Sequence, residues 1–475
     1  MKAKLITFLL LVACAALPAN GKTLPNIVLL LSDDLGRLET SVYGSTEVRT
    51  PTLATLAEKG MTFDNAYVAS PSCCPNRASL LTGLMPARHG AHPNHTFVKE
   101  GTKWLPPILK EMGYTVASFG KVQHGRRDFE GCDYHFTEHE KMSQDLEKLI
   151  QSGKLGDGPV CLMVGDRRPH VPWIEEWIYD PEKVTLPHNF IDTPETREHW
   201  ARYYSDITHM DAEMGRVLKL VEKHLGSDFI CMFTSDHGGQ WPFGKWNLYD
   251  SGARIPLIAT WPGHIESGVR TDAMVNWVDI IPTLIDLGGG DVPTDIDGKS
   301  FADVLLGKKD THRSEIFTTH TGDTVFNVYP IRSIREGRYK YIHNLCPDGY
   351  HSNHSDILQK DGAGEFWAEW FEAAKTDPAA AKVVKAYQQR PEFELFDLDK
   401  DPMEQNNLAE NPEYREILLS LKRKLADWTT SQGDDLKPHQ AIYPLSAPMP
   451  DIKTQHEKRL RERAERRKAE AAQGK

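Results

Sequence analysis

Residues 24–31 read LPNIVLLL and run directly into Ser32, Asp33 and Asp34. A short apolar, β-branched run ended by a polar cluster reads as a buried parallel strand. Three further runs repeat the pattern. Residues 114–119 end at Gly120 and Lys121, residues 159–164 form another, and residues 228–234 are followed by Ser235, Asp236, His237 and Gly238. Helical patterns lie between them: residues 50–59 with Pro51 in the first turn, a helix start at 78–84 after a Pro-rich loop, residues 103–112, and residues 200–225 with apolar residues three and four apart. Strands alternating with helices predict an α/β fold with a mostly parallel sheet flanked by helices. In such sheets ligands bind beyond the carboxyl ends of the strands, which is where the polar clusters fall.

After about residue 312 the texture changes. Residues 315–318, 330–333, 339–343 and 394–398 are short strand candidates separated by turns, and residues 408–432 are helical in pattern. A smaller antiparallel-sheet α+β unit with a packed helix is expected there. Residues 453–475 hold nine Lys and Arg against four Glu and show no apolar face. They read as a solvated helix or frayed tail, with adhesion to an anionic glycan as the lesser alternative. The resulting division is 1–21, 22–312, 313–435 and 436–475.

Composition excludes several classes. The 475 residues are 40% hydrophobic and 26% charged, an ordinary globular balance with ample length for a core. A net charge of −11 argues against a general nucleic-acid binder. Seven Cys are too few for a disulfide scaffold, and the single long apolar run excludes a multi-span membrane protein. That run follows Lys2 and Lys4 and is followed by small residues, the layout of a secretory signal. Cleavage near Ala13–Ala15 or residues 19–21 suits ordinary signal peptidase, whereas residues 11–14, LVAC, resemble a lipoprotein box that would lipidate Cys14. Both routes place the mature protein outside the cytoplasm: periplasmic, secreted or lipid-anchored at the cell surface.

The most informative stretch is residues 70–83, SPSCCPNRASLLTG. Adjacent Cys rarely bridge each other. A zinc site would want a second Cys/His pair at ligand spacing, and none is nearby. A thiolate nucleophile remains open. With Pro75 and Arg77, the stretch resembles the type I sulfatase signature, Cys-x-Pro-x-Arg followed by Leu-Thr-Gly. That family belongs to the alkaline-phosphatase-like superfamily and oxidises the first Cys, here Cys73, to formylglycine through a dedicated maturation enzyme. Asn76 departs from the commoner Ser, Ala or Thr.

Other elements fit the same resemblance, which runs from about residue 24 to 432. It implies metal ligation by Asp33, Asp34, Asp236 and His237 with the modified Cys73. Oxygen-rich donors favour Ca²⁺, with Mg²⁺ second, over zinc. Residues 120–124, GKVQH, make Lys121 a sulfate-binding residue and His124 the base for sulfate elimination. Residues 168–172, RPHVP, make His170 the acid for the leaving group, with Arg167 where a His often stands. Residues 244–257 make Lys245 a bridge between sulfate and leaving group. Arg77 compensates charge beside Cys73, and His320 is expected to reach substrate from the second unit. In the implied reaction the hydrated residue 73 attacks sulfur and later expels sulfate by elimination, a step closed to a plain Ser or Cys.

Residues 329–345 and 407–412 resemble the N-sulfoglucosamine sulfohydrolase branch, whereas Lys121 and His124 at that spacing, Asp236-His237 and the RPHVP loop lean towards iduronate-2-sulfatases. The expected substrate is therefore a sulfated carbohydrate, with heparan-type N-sulfoglucosamine favoured. Algal or other sulfated polysaccharide fragments form the first alternative. A phosphoester or phosphonate hydrolase of the superfamily is the second, and a glycan-binding protein without turnover the third.

Overall fold

The computed structural model describes residues 24–124, 129–139, 141–360 and 363–472. The export signal and Cys14 lie outside the described residues. In chain order the strands are β1 (Asn26–Ser32), β2 (Met61–Tyr67), β3 (Thr115–Gly120), β4 (Tyr134–Phe136), β5 (Val160–Gly165), β6 (Phe229–Ser235), β7 (Arg254–Thr260), β8 (Val269–Thr271), β9 (Val275–Asn276), β10 (Glu315–His320), β11 (Ile331–Glu336), β12 (Tyr339–Asn344) and β13 (Phe393–Asp397). The first nine form one sheet in the order β4-β3-β5-β1-β6-β7-β2-β8, with β9 beside β2. Only the pairings of β7 with β6 and β2 are antiparallel. The last four form a separate antiparallel sheet in sequence order.

The strand opened by LPNIVLLL lies at the centre of the large sheet, between β5 and β6. Val28 and Leu30 enter the apolar cluster on one face, and Ile27, Leu29 and Leu31 the cluster on the other. This two-sided burial explains why the run lacks the polar alternation of a half-exposed strand. The long helix Pro194–Leu225 covers the first face, packing Trp200, Ile207, Met210, Met214 and Val217 against it. The helix Ile280–Leu287 packs Ile281, Leu284 and Ile285 onto the second.

Four helix starts differ from the sequence reading: those expected at residues 103 and 200 fall at Pro106 and Pro194, each with Pro in the first turn. The helix carrying the signature begins at Cys73, not near residue 78, and runs to Thr82. Pro75 falls within its first turn, where a missing N–H costs no helical bond, so the Pro-rich stretch is tolerated inside the helix. The helix expected over 408–432 spans Arg415–Gln432, because a 3-10 turn at Pro412–Tyr414 precedes it. It packs Leu421 and Leu425 against Ile334, Tyr341 and Leu395 of the small sheet. The basic tail forms the helix Ile452–Ala472, anchored by Ile452 beside Phe326 and Leu358. Among the described residues no helix is long and apolar enough to cross a membrane. All six described cysteines are free thiols.

Candidate active site

The parallel register of β1 and β6 sets Ser32 beside Ser235. The residues that follow each strand therefore emerge side by side. The Asp34 N–H donates to Asp236 Oδ1 at 3.1 Å, and the Leu35 N–H to Ser235 Oγ at 3.1 Å. Asp34 holds φ 66°, a left-handed conformation uncommon for a residue with a side chain. Tyr203 of the long helix fixes this turn: its hydroxyl donates to the Asp34 carbonyl at 3.0 Å and accepts the Gly36 N–H at 3.1 Å.

Cys73 lies at the first position of its helix, buried at the centre of these groups. Its Sγ is 3.5 Å from Asp33 Oδ1, 4.0 Å from Asp34 Oδ1, 3.3 Å from His237 Nε2 and 3.5 Å from Lys121 Nζ. Burial alone would push the thiol up, but Lys121, Lys245 and His237 pull it well below its ordinary value. Asn76 ties the helix down one turn along. Its Oδ1 accepts the Ala69 N–H at 2.9 Å and the Ser70 N–H at 3.4 Å, and its amide donates to the Asp236 carbonyl. The departure from the commoner small residue thus ties the signature helix to the end of β6.

Arg77 is fully buried between two carboxylates. Its Nε is 3.0 Å from Asp236 Oδ2 and its Nη2 3.5 Å from Asp33 Oδ1, while Nη1 donates to the Lys121 and Val122 carbonyls. Lys121 Nζ pairs with Asp33 Oδ2, and Lys245 Nζ lies 2.9 Å from both Asp34 oxygens. Burial resists ionisation of Asp33, yet Lys121, His170 and Arg77 hold its carboxyl well below the usual range. Asp236 goes the other way. Burial and the neighbouring Asp33 and Cys73 outweigh Arg77 and push it up to about 8.

Asp33, Cys73, Asp236 and His237 offer ligand atoms that all lie within 4.8 Å of one another. His237 Nδ1 is 3.0 Å from the Gly238 carbonyl, which leaves Nε2 as the atom turned towards the cluster, free to ligate a cation once it has lost its proton. Despite burial, Asp236, Cys73 and Asp34 raise this imidazole to about 9. Crowded, water-excluded anionic donors with one imidazole aimed among them fit a hard divalent cation. Asp34 belongs to an adjoining group with Cys73 and His170, and its Oδ1 is 3.5 Å from His237 Nδ1.

His170 reaches the same centre, with Nε2 4.0 Å from Asp34 Oδ2 and Nδ1 2.6 Å from the Val171 carbonyl. Arg167 instead turns back to that carbonyl. Burial lowers the His124 imidazole below its ordinary value, although the neighbouring Cys73 opposes this. His320 is the expectation the geometry corrects. It ends β10 at 1% exposure with Nε2 3.0 Å from Asn327 Oδ1, so a buried partner, not the cluster, holds its ring.

The structure adds groups that the sequence reading passed over. Gln240 Oε1 lies 3.4 Å from Lys245 Nζ, and its amide is 3.0 Å from His354 Nε2. Asn94, His95 and Asp323 form a connected set beside Cys74. No spacing within the sequence signals these sets, because the contacts that join them to His354 and Asp323 cross more than a hundred residues.

A family model described as Sulfatase matches residues 25–290, and one described as N-sulphoglucosamine sulphohydrolase, C-terminal, matches residues 237–354 and 373–431. An ulvan-active sulfatase of Formosa agariphila is 29% identical over 89% of this chain and 84% of its own. Human N-sulphoglucosamine sulphohydrolase is 28% identical over 90% of this chain and 93% of its own. Among solved structures, that of BT4656 in complex with its substrate D-glucosamine-2-N,6-O-disulfate aligns with a TM-score of 0.66 at 20% identity, over 87% of this chain and 99% of that one.

Proposed function

On the premise that this chain belongs to the sulfatase family, as a match over most of its large-sheet unit establishes, we propose that it removes sulfate from N-sulfoglucosamine of heparan-type saccharides. The proposal includes a formylglycine formed from Cys73 and a calcium ion held by Asp33, Asp34, Asp236 and His237 with residue 73. Hydrolysis of sulfate groups on a carbohydrate is the coarser activity that the family and its relatives support.

The observation that carries the finer reading is the second family match. The N-sulphoglucosamine sulphohydrolase C-terminal model spans the small sheet together with the turn bearing His237 and Lys245. The human relative of that name is covered almost end to end. A second reading has its own support: the ulvan-active relative is equally similar, which favours a sulfated algal polysaccharide.

A divalent cation in this cluster would supply charge neutralisation to the sulfate oxygens, and formylglycine at position 73 a hydroxyl nucleophile that can afterwards release sulfate. The chain's own residues do the remaining work. Lys121 and Lys245, each within reach of the Cys73 position from opposite sides, place two fixed positive charges where a sulfate group spreads its negative charge. Lys245 is buried and Lys121 nearly so, and both are already held in place by Asp34 and Asp33. Arg77 holds Asp33 and Asp236 in place from behind. With Nδ1 anchored on Val171, the Nε2 atom of His170 is the one presented to the leaving oxygen or nitrogen and delivers its proton. His124, a neighbour of position 73 whose imidazole burial holds below its ordinary value, accepts a proton there.

The test is sulfate release from a panel of defined saccharides, by enzyme co-produced with a formylglycine-generating activity. Release from N-sulfoglucosamine is expected. Activity confined to ulvan oligosaccharides would replace this substrate with the algal one, and no release from any N-sulfated member would end the heparan reading. Mass spectrometry of the same protein checks residue 73: an unmodified Cys73 throughout a fully active sample would overturn the nucleophile.

A further inference from the structure

His95 lies outside every motif discussed above, yet it is built into the site's edge. Its Nδ1 is 3.0 Å from Asp323 Oδ1; the imidazole is 51% exposed and the carboxylate 2%. The other oxygen of Asp323 accepts Asn94 Nδ2 at 3.0 Å and Trp246 Nε1 at 3.2 Å. Asn94 Oδ1 in turn accepts the backbone N–H of Cys74 at 3.0 Å. A continuous set of hydrogen bonds therefore runs from the residue after Cys73 to the loop that follows β10. Lys245 adjoins the same set, because Trp246 is the next residue.

The arrangement fixes one atom. With Nδ1 committed to a buried, fully bonded carboxylate, the ring cannot turn, and Nε2 is left facing outward. The ring centroid is 5.1 Å from that of His124, in an edge-to-face contact, and His124 neighbours Cys73. His95 also holds φ 61°, a conformation that costs free energy for a residue with a side chain. Its bond to Asp323 raises the imidazole above its ordinary value, although burial opposes this, and so favours the form with N–H on both nitrogens. Two residues on, Phe97 is 47% exposed and lines a small cavity with His124, Cys74 and Trp104. A directed donor beside an exposed apolar ring is the combination that recognises a sugar, with its polar rim and apolar faces.

We propose that His95, oriented by Asp323, is a saccharide-binding residue whose Nε2–H donates to an oxygen acceptor of the sugar bearing the scissile sulfate. This deepens the sulfatase reading and rests on it. In this view Asp323 is a positioning residue: it holds Nδ1–H, sets the angle of the imidazole, balances the charge of its doubly protonated form and touches no substrate. The small-sheet unit contributes to selectivity through that one carboxylate. The plainer alternative is that His95 serves only as a counter-ion for a buried Asp323.

The two accounts separate by substrate. His95→Ala and His95→Gln are compared with wild type on the best saccharide of the panel and on 4-nitrophenyl sulfate, which offers no sugar oxygen. Loss of kcat/KM on the saccharide is expected to exceed the loss on the aryl sulfate by about 10- to 100-fold, carried mainly by KM. His95→Gln should recover part of it, since its amide N–H can donate from a similar position. Thermal unfolding of both variants reports any structural cost directly. Proportional losses on the two substrates, or a saccharide loss no greater than the aryl-sulfate loss, overturn the proposal and leave the sulfatase reading intact. Wild-type turnover of the aryl sulfate with no saccharide accepted does the same. Absence of sulfate release from either substrate by wild type overturns both.

Discussion

Cys73→Ala is expected to lower sulfate release by at least about 10⁴-fold while leaving the protein folded. The argument is positional. Asp33, Asp34, His237 and Lys121 all converge on the Cys73 side chain, and no other nucleophilic side chain occupies that centre among the described residues. Removing one buried sulfur leaves a small void, a modest cost for a core of this size. Cys73→Ser sharpens the test. Its hydroxyl can attack sulfur but lacks a second hydroxyl through which to expel sulfate. The variant should therefore turn over once at most and gain the mass of a sulfo group. The measurements are steady-state sulfate release, intact mass after incubation with substrate, and thermal unfolding. Turnover by Cys73→Ala within tenfold of wild type would remove residue 73 from the chemistry.

How much of this was legible in the sequence varies with the range of the interaction. LPNIVLLL announced a strand buried on both faces, and the central place of β1 follows from that. Asp33, Asp34, Asp236 and His237 were legible because strand ends in a parallel sheet project to one rim, so acidic clusters after separate strands must meet. Strands β2 and β7 were passed over. β2, MTFDNAY, is interrupted by polar residues, and its pairing with β7 shifts register between Phe63 and Ala66, so neither strand offers a clean period. The helices Phe366–Ala373 and Pro378–Gln388 were missed for another reason. Trp367, Trp370 and Tyr387 bury against the long helix and its neighbours, a tertiary contact with no local signature. The same limit hid His95 and Asp323, which are joined across 228 positions. His320 failed in the opposite direction: a polar residue at a strand end suggested an outward role, whereas Asn327 satisfies it inside.

Arg77→Met is expected to cost about 3–5 kcal/mol of stability as well as activity, the usual consequence of removing one member of a buried ion pair. Two carboxylates lose their shared partner at once: Asp236 at 3.0 Å and Asp33 at 3.5 Å. Asp33 keeps Lys121, but Asp236 keeps only the Asp34 N–H at 3.1 Å and His237 at 3.6 Å, with no full cation in hydrogen-bond range. The carbonyls of Lys121 and Val122, which accept from the same guanidinium, lose that donor too. Met matches the length of the side chain and fills most of the space, so the loss reports electrostatics and hydrogen bonding more than a cavity. Arg77→Lys divides the contributions. It restores a charge but not the planar fork that serves two carboxylates and two carbonyls together, and it should recover less than half of the deficit. Chemical denaturation of both variants in chelator measures the contribution of the protein's own charges alone. The deficit should then shrink when calcium is added, because a bound cation neutralises the same carboxylates that Arg77 served. A deficit below 1 kcal/mol for Arg77→Met in chelator would mean that Asp33 and Asp236 are not held apart by this residue. The clustering of ligand atoms around Cys73 would then need another cause.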